Sequence, residues 1–432
     1  LDLHGLRRDG ARETLAAFTS VPASCQTSWM RCGASLCQTM SVFTVSVWLR
    51  LTIKIAPAPV ASSAGPVRAQ IGWSNAERPR DAFRAIFRDS DPSTASLGMA
   101  FVSARHDLAE VSKELRDLFR CPVLACTTAG EITSTNGYVS SGIAAAAVHG
   151  VDVRSHFVQR AGRFTSHDAR QAAAALGFNS NRLGRHQAAL MVIDSMQKSE
   201  ELFVSHLHEG LCHAPLVGGS AGDDGAFKTT PVFNGKEFVT GGAMLIGIDS
   251  PAKLRTFAHE NFKAAQRSYV VTDATPAERI VHRIDGRVAS HVYAESLGLT
   301  PDQLTPGVVS RHPLMLRVGS RHFVRGIASI DKDGSMHLFC AMDEGLVLRF
   351  GESLDMVGSL QALYTEPYIR EASFVIGFDC ICRALAVKDA RIADAMAAEL
   401  AKRPLIGFST YGEQFEGFHV NQTLTGIAFS AE

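Results

Sequence analysis

Hydrophobic and polar positions follow the same order in three separate segments of the chain. In the first, the apolar run Leu97–Ser103 predicts a strand, and Asp107–Phe119 carries leucine and valine at the spacing of a helix. Pro122 then precedes a second apolar run, Val123–Cys126, and the polar turn that follows it ends at Glu131. The order is therefore strand, helix, proline, strand and acidic turn.

The second segment predicts a strand over Ala188–Asp194 and a helix over Ser199–Leu211, with Leu202 and Leu211 on the buried face of that helix. A proline and a short apolar run follow, and the polar turn after them ends at Asp223. This segment therefore repeats the order of the first.

The third segment predicts a strand over Ser373–Phe378, a helix over Arg391–Ala401 and a turn that ends at Glu413. A strand–helix–strand connection of this length joins neighbouring parallel strands by a right-handed crossover. The proline in each copy ends the helix and starts the next strand in an extended conformation. The repeat therefore predicts three parallel pairs of strands.

Three acidic residues, Glu131, Asp223 and Glu413, end the three turns, and each follows a glycine. Ligands of open parallel sheets gather at the carboxyl ends of the strands. The three acids are therefore candidates for one ligand pocket, provided that the three units share a sheet. The alternative is that each carboxylate only caps its own turn by accepting backbone N–H groups.

Antiparallel segments lie between and after the repeats. Val232–Ile248 and Phe323–Met342 each predict a hairpin about an N-G or D-G turn, and Gly417–Ser430 predicts a long final strand. The predicted fold class is α/β with mixed α+β elements, in which inserted hairpins separate the strand–helix–strand units. A break near Ser250 divides the chain into two lobes, expected at 67–250 and 251–432.

Residues 1–66 show no sustained helical or strand period. The stretch from Met40 to Ala64 resembles a secretory signal, but Arg50 and Lys54 interrupt it and its charges are in the wrong order. We expect a disordered leader or an over-extended reading frame there, with the fold beginning near Val67.

Composition narrows the class of protein further. The 432 residues are 46% apolar and 20% charged, and 43 basic residues balance 43 acidic ones. The sequence therefore predicts a globular protein without nucleic acid as its partner. No run of 18 apolar residues predicts a membrane-spanning helix, so no membrane insertion is expected. The scattered cysteines favour a reducing compartment, and the predicted localisation is cytoplasmic.

Motifs of two large enzyme classes are absent from the sequence: it has no P-loop and no H-E-x-x-H. His208 and Cys212 would share one helix face and could bind zinc, although a solvated helix face is the alternative. Cys126 could be a nucleophile, but the sequence implies no partner histidine. Cys380 and Cys382 are expected to be buried strand thiols. A binding module is therefore favoured over an enzyme.

Several motifs resemble the FIST sensory domain over residues 67–432. They are G-G-S-A-G-D-D at Gly218–Asp224, I-D-G-R-V-A-S-H-V-Y at Ile284–Tyr293, I-G-F-S-T-Y-G-E-Q-F at Ile406–Phe415 and H-V-N-Q-T-L-T-G at His419–Gly426. The resemblance implies a bacterial sensor of small molecules that works with a histidine kinase or a cyclic-di-GMP enzyme. Because the chain is similar to stand-alone members, the partner is expected to be a separate protein.

A narrower resemblance links the chain to the FIST subgroup that binds haem and senses nitric oxide. It rests on R-H-P-L-M-L-R-V-G at Arg311–Gly319, F-V-R-G-I at Phe323–Ile327 and D-G-S-M-H-L-F-C-A-M-D-E-G-L-V-L at Asp333–Leu348. F-D-C-I-C-R at Phe378–Arg383 extends the match but has phenylalanine where the subgroup has cysteine. The implied cofactor is haem b.

Haem requires a neutral imidazole on iron, an apolar pocket and cations for the propionates. His312 is the first candidate for the iron ligand, with Arg311 and Arg317 near enough in sequence to bind the propionates. Apolar cover would come from residues 314–316. His419 and His322 are the second and third candidates, and a structural histidine is the alternative for each.

The implied mechanism is that nitric oxide binding changes the protein's conformation, which alters the output of a histidine kinase or of a diguanylate cyclase or phosphodiesterase. Two rival interpretations remain open. One is a haem-free FIST module that binds a metabolite such as an amino acid, with Glu131, Asp223 and Glu413 around its ammonium group. The other is a hydrolase or transferase that uses Cys126.

Overall fold

Apolar runs bounded by glycine, proline or acidic turns form strands throughout the part of the chain that the structure describes. The structure is a computed structural model, and it describes residues 66–178, 186–318 and 321–430. These residues belong to one compact unit. The leader predicted at 1–66 lies outside the described residues, apart from Pro66.

The described strands are numbered here in chain order. They are β1 (Arg68–Ser74), β2 (Leu97–Ser103), β3 (Val123–Thr128), β4 (Glu131–Thr133), β5 (Gly137–Val139), β6 (Ile143–His149), β7 (Asp152–Val158), β8 (His186–Ile193), β9 (Leu216–Ser220), β10 (Val232–Phe233), β11 (Phe238–Val239), β12 (Ala243–Ser250), β13 (Lys253–Glu260), β14 (Phe262–Ala264), β15 (Tyr269–Thr275), β16 (Ile280–Ile284), β17 (Arg287–Val288), β18 (Leu314–Val318), β19 (Arg321–Arg325), β20 (Ile327–Ile330), β21 (Met336–Leu338), β22 (Val347–Ser353), β23 (Ala372–Cys380), β24 (Leu405–Thr410), β25 (Glu413–Phe415), β26 (Phe418–Val420) and β27 (Thr423–Ser430).

The described α-helices follow the same convention. They are α1 (Pro79–Ile86), α2 (Leu108–Leu118), α3 (Ser166–Leu176), α4 (Glu200–Gly210), α5 (Ala289–Ser296), α6 (Pro306–Arg311), α7 (Met356–Thr365), α8 (Pro367–Arg370), α9 (Ile381–Asp389) and α10 (Ala393–Leu400). Side-chain oxygens cap several of these helices. For example, Asp107 accepts the N–H groups of Ala109 and Glu110 at the start of α2. No described helix is long and apolar enough to cross a membrane.

The three predicted strand–helix–strand units are all present as parallel pairs. Strand β2 pairs with β3, β8 with β9, and β23 with β24. This confirms the repeat and the mixed α/β class. The units lie in three separate six-stranded sheets, with orders β1-β6-β2-β3-β10-β11, β26-β25-β9-β8-β12-β7 and β13-β27-β23-β24-β4-β5. The three units therefore do not share one sheet, which was the condition for placing the three acids in one pocket.

The carboxyl ends of the three units nevertheless meet. The N–H of Gly222 donates to the carbonyl of Thr127, that of Tyr411 to Ser220, and that of Ala129 to Ser409, at 3.0 to 3.2 Å. Because each unit bonds the next in a cycle, the turns that follow β3, β9 and β24 form one junction. One apolar core beneath it joins side chains of all three sheets, including Phe101, Leu190 and Phe408.

Two short hairpins cross between the sheets. Strands β4 and β5 follow β3 in the chain, yet β4 pairs with β24 of the third sheet. Strands β25 and β26 follow β24, yet β25 pairs with β9 of the second sheet. The amino-terminal and carboxy-terminal parts of the fold therefore complete each other's sheets.

A fourth sheet of nine strands carries the remaining antiparallel segments, with α5 and α6 beside it. Its path runs β19-β18-β22-β15-β16-β21-β20, with β14 paired to β22 and β17 paired to β16. The predicted hairpin about Asp333-Gly334 is present as β20 and β21. The hairpin about Asn234-Gly235 comprises only β10 and β11, since β12 lies in the second sheet.

Three details of the elements differ from expectation. The final strand is broken into β26 and β27, which lie in different sheets. Residues 381–389 form helix α9, so Cys380 ends a strand whereas Cys382 lies on a helix and is half-buried. Leu202, expected to face inward, is 55% exposed.

Candidate functional site

A cleft of about 430 Å³ lies where the fourth sheet meets α5 and the end of α6. Its apolar lining includes Tyr269, Val292, Leu297 and Phe350. The guanidinium groups of Arg267 and Arg287 and the imidazole of His312 also line it. The first-choice histidine of the sequence thus lies in a cleft with both apolar and cationic walls.

His312 is held on two sides. It follows the last residue of α6, where its carbonyl accepts the Tyr293 hydroxyl at 2.6 Å. Its Nδ1 lies 3.1 Å from the carbonyl oxygen of Gly351. A carbonyl can only accept, so this contact requires the proton on Nδ1 and leaves Nε2 with a free lone pair in the neutral ring. Metal-binding histidines are commonly oriented in this way.

The cationic side chains that line the cleft differ from the two arginines that were chosen because they lie near His312 in the sequence. Arg267 lies over the Tyr269 ring, 4.9 Å from its centre, and Arg287 pairs with Glu295 at 2.6 Å. Arg311 and Arg317 have exposed side chains and do not belong to the lining. The apolar residues 314–316, proposed as cover, are buried within the protein core.

His322, the third candidate, lies on β19 opposite Arg317 of β18. Its Nε2 is buried and has no hydrogen-bond partner in the protein. Burial, followed by the charges of Arg349 and Arg317, lowers the pKa of His322. The ring therefore favours its neutral form, but it does not line the cleft beside His312.

His419, the second candidate, lies in a different place, within a buried polar cluster. Ligand-type atoms of Glu201, Cys340 and His419 all lie within 4.8 Å of one another. They come from helix α4, from the loop after β21 and from strand β26. The His419 ring packs against the backbone of Gly412, where an added Cβ would lie only 2.2 Å from Cε1.

Charged and polar neighbours surround these three side chains, which we call the Glu201–Cys340–His419 cluster. Arg279 donates to Glu200 at 2.6 Å and to Glu201 at 2.9 Å. The N–H of Ala341 donates to the other oxygen of Glu201 at 2.7 Å. The Cys340 thiol contacts Oδ1 of Asn421 at 2.7 Å. On the far side of the ring, Gln414 Nε2 lies 3.2 Å from Nδ1 of His419.

Electrostatics within the cluster favour opposite charges on the imidazole and the carboxylate. Burial alone would lower the pKa of His419, but Cys340, Glu200 and Glu201 raise it to about 9. Burial would likewise raise the pKa of Glu201, and His419, Arg279 and the Ala341 N–H lower it instead. The two groups therefore support each other's charged forms.

Several buried polar atoms of this region have no partner within the protein. They are Nε2 of His419, Nδ2 of Asn421, Nε of Arg279 and Nε of Arg325. Such atoms are rare in folded proteins, and a bound ion, ligand or ordered water commonly accounts for them. The cluster is therefore a second candidate site.

Glu131 and Glu413 occupy equivalent positions, because each is the first residue of the short strand that follows its turn at the junction. Glu131 accepts the Thr128 hydroxyl at 2.8 Å, and its other oxygen accepts Gly142 N–H at 3.2 Å and the Trp73 indole N–H at 3.4 Å. Glu413 accepts the Thr410 hydroxyl and both the hydroxyl and the N–H of Thr423. Burial raises the pKa of Glu131 to about 8 and that of Glu413 well above its ordinary value.

Asp223 has a different role from the two glutamates. Its oxygens accept the N–H groups of Phe227, Lys228 and Thr229 at 2.7 to 2.9 Å, and the Tyr411 hydroxyl at 2.5 Å. Although burial opposes it, these donors lower the pKa of Asp223. Every carboxylate oxygen of the three predicted pocket acids thus accepts a bond from the protein, as in the turn-capping alternative. Their role around a ligand stays a prediction.

The cysteine and histidine motifs that could have indicated other chemistry lie apart from both sites. Cys126 is fully buried in β3, and burial raises its pKa well above the ordinary value, the reverse of an activated nucleophile. Helix α4 ends before Cys212, and His208 instead contacts Glu416 at 3.1 Å. Among the described residues, the Glu201–Cys340–His419 cluster is the one grouping with metal-ligand spacing.

Sequence reasoning did not find Arg267, Arg287, Glu201, Cys340 or Arg279. Arg267 lies in the loop between β14 and β15, and Arg287 begins β17, so both are far from His312 in the chain and no local spacing connects them to it. Cys340 lies within a motif that the sequence had singled out, but its neighbours in space come from distant elements. The sequence alone does not show that Cys340 and His419 lie close together, because they belong to separate elements of the fold.

Comparison with known proteins identifies both parts of the chain. A FIST N domain matches residues 96–287, and a FIST C domain matches residues 289–416. No similar protein was found among the curated proteins. FIST domains are sensory rather than catalytic modules, which indicates a role in signalling. The two domains follow each other almost without a gap, and the chain therefore belongs to the FIST domain proteins.

Proposed function

We propose that this protein is a bacterial sensor that binds haem b in the cleft beside His312 and responds to nitric oxide. One observation carries the proposal: the His312 ring is oriented by the Gly351 carbonyl, which leaves Nε2 free to bind a metal. The resemblance of residues 311–319 to the haem-binding FIST subgroup points to the same histidine.

The lining of the cleft fits the group. A volume of about 430 Å³ falls in the range of small-molecule sites, and aromatic and branched side chains supply apolar walls. Arg267, which lies over the Tyr269 ring, is placed to pair with one propionate, and Arg287 would pair with the other by exchanging its present partner Glu295, the roles first given to Arg311 and Arg317. Bound haem would supply an iron position at which nitric oxide can coordinate.

His312 is linked to several elements that could pass a change onward. Its carbonyl is bonded to Tyr293 of α5, its Nδ1 to Gly351 of β22, and its backbone ends α6. Helix α6 in turn contacts α9 and strands β20 and β22. A shift of the ring would therefore disturb the packing of α5 and α6 together, which supplies a conformational output.

Spectroscopy tests the ligand. We expect the haem-free full chain to take up one equivalent of haem and to show a Soret band that shifts with nitric oxide. His312→Ala should lose or alter that band, and added imidazole should restore it by filling the gap. His291→Ala, which removes an exposed histidine of α5, is the matched control and should behave as the wild type.

A spectrum that survives His312→Ala unchanged would overturn the assignment and move the axial bond to His322 or His419. If no haem is bound at all, the metabolite-binding alternative becomes the leading interpretation. The signalling step is tested with a separate histidine kinase, diguanylate cyclase or phosphodiesterase. Its activity should change with nitric oxide in the presence of the wild-type chain and stay constant with His312→Ala.

A further inference from the structure

We infer that Glu201, Cys340 and His419 form a binding site for a divalent transition-metal ion, for which zinc is the best match. The site is separate from the His312 cleft and goes beyond the proposed function. It rests on two independent observations, which are the mutual distances of the three ligand atoms and the unpartnered nitrogen of His419.

The three side chains supply the donor set that zinc prefers. Thiolate, imidazole and carboxylate are its usual protein ligands, and three of them leave a fourth position for water or another small ligand. In tetrahedral sites with bonds of about 2.0 to 2.3 Å, ligand atoms lie roughly 3.3 to 3.8 Å apart. The present atoms lie within 4.8 Å of one another, so modest side-chain movements would complete the site.

His419 is poised for such a role. The residue is 2% exposed and its Nε2 has no partner in the protein. A ring that binds a metal through Nε2 carries its proton on Nδ1, which now faces the amide nitrogen of Gln414 at 3.2 Å. Metal binding therefore requires the Gln414 amide to turn over, so that its Oε1, which has no partner in the protein, accepts the Nδ1–H group. Leaving a buried ring nitrogen without a partner costs stability unless a further group occupies that position. The ring packs tightly on Gly412, which suits a single ion better than a macrocycle.

The surrounding charges permit the carboxylate to change partner. One oxygen of Glu201 is fixed by the Ala341 N–H, and the other contacts Arg279. Arg279 also pairs with Glu200, which is almost fully buried, and donates to the Phe339 carbonyl. When Glu201 turns its second oxygen to a metal, Arg279 therefore keeps a carboxylate partner.

Asn421 supports the sulfur ligand. Its Oδ1 accepts the Cys340 thiol, and its Nδ2 has no partner. Metal binding replaces the S–H bond of Cys340 with a metal–sulfur bond and the Nε2–H bond of the charged His419 ring with a metal–nitrogen bond, and it releases both protons to solvent with no change of oxidation state. The amide can then turn over and donate Nδ2–H to the thiolate, an outer-shell bond of the kind that tunes metal sites, at the cost of the bond that its Oδ1 accepts from the Gly326 N–H at 3.3 Å.

Cobalt and zinc titrations test the site. The full haem-free chain, stripped with a chelator, should bind one equivalent of Co²⁺ with a sulfur-to-cobalt charge-transfer band, and Zn²⁺ should displace it. Cys340→Ser should abolish the band, and Glu201→Gln should weaken Zn²⁺ binding at least tenfold. Cys126→Ser and Cys382→Ser, which alter cysteines outside the cluster, are the matched controls and should leave the band unchanged.

A second measurement needs no variant, in case Cys340→Ser fails to fold. X-ray absorption of the zinc-loaded wild type should show one sulfur ligand at about 2.3 Å beside nitrogen and oxygen ligands. A zinc shell without sulfur, a cobalt band that persists in Cys340→Ser, or no metal uptake would each overturn the inference. The Soret band that tests His312 is measured in a separate experiment, so failure of one site can be distinguished from failure of the other.

Discussion

The carboxyl group of Glu131 is buried beneath the junction of the three units, and its pKa of about 8 gives it a measurable effect on stability. Between about pH 4.5 and 8 the folded chain holds a proton on Glu131 that the unfolded chain has lost. Stability therefore falls as the pH rises through this range, by up to about 1.4 kcal/mol per pH unit. Glu131→Gln should remove this slope, because the uncharged amide needs no proton.

The Glu131→Gln substitution would also keep the local hydrogen bonds, since the amide oxygen can accept from Trp73 and Gly142 while the amide nitrogen faces the Thr128 hydroxyl. Urea midpoints from pH 5 to 8 should show a flatter profile for Glu131→Gln, with a gain of about 1 to 3 kcal/mol at pH 8. Glu237→Gln, at an exposed position, is the control and should follow the wild type. Parallel profiles for Glu131→Gln and the wild type would contradict the burial argument.

Asp223 and Tyr411 form a second residue-scale test, since the hydroxyl and the carboxylate belong to different units. We expect Asp223→Asn to cost about 2 kcal/mol, because a charged acceptor of three N–H groups and one O–H is lost. In a double-mutant cycle with Tyr411→Phe, urea unfolding should give a coupling of about 1 to 3 kcal/mol. Additive effects would mean that the bond does not hold the junction together.

The acidic turns also show how far single residues could be understood from sequence. The sequence shows the glycine and the acid of each turn, and it also suggests that the acid could cap the turn. Their partners were not, because Trp73 and Tyr411 lie far along the chain from Glu131 and Asp223. A hydrogen bond between distant residues leaves no period or spacing in the sequence.

At the scale of elements, helix α4 shows a difference between the face that the sequence pattern predicts to be buried and the face that packs against the core. Leu202 and Leu211 are nine positions apart, which places them half a turn out of phase, so both cannot face the core. Phe203, Val204 and Leu207 form the buried face instead. Leu207→Ala should lower the free energy of unfolding by about 2 to 5 kcal/mol, and Leu202→Ala by less than about 0.5 kcal/mol, measured by urea unfolding. Equal costs for the two leucines would refute this orientation.

Helix α9 was missed for a different reason. No glycine or proline separates the strand that ends at Cys380 from the helix that begins at Ile381, so the sequence has no turn signal at the point where the strand becomes a helix. The change is set by tertiary partners: Arg383, buried on the first turn, reaches back to Asp379 at 2.6 Å and across to Asn261 at 2.6 Å. The first two units, whose strands and helices are separated by proline or polar turns, have the predicted order, whereas the third has the additional helix α9 between its strand β23 and helix α10.

At the scale of the whole molecule, sequence predicted the units but not their assembly. Side-chain alternation tells which face of a strand is buried, but it does not tell which strand lies beside it. The crossing of β4 to β24 and of β25 to β9 therefore required the structure, as did the meeting of Glu201, Cys340 and His419. Both depend on contacts between the FIST N and FIST C parts of the chain.

The strand crossing predicts that the two parts fold only together. A fragment of residues 67–250 lacks β25 and β26, so the edge of β9 is uncovered, and a fragment of residues 251–432 lacks β4 and β5 beside β24. Uncovered edges favour aggregation. Each fragment alone should show no cooperative urea transition, whereas the two refolded together should form a one-to-one complex with the circular dichroism of the intact chain. Independent, cooperative folding of either fragment would show that the exchanged hairpins are dispensable and that a break at 250 separates true domains.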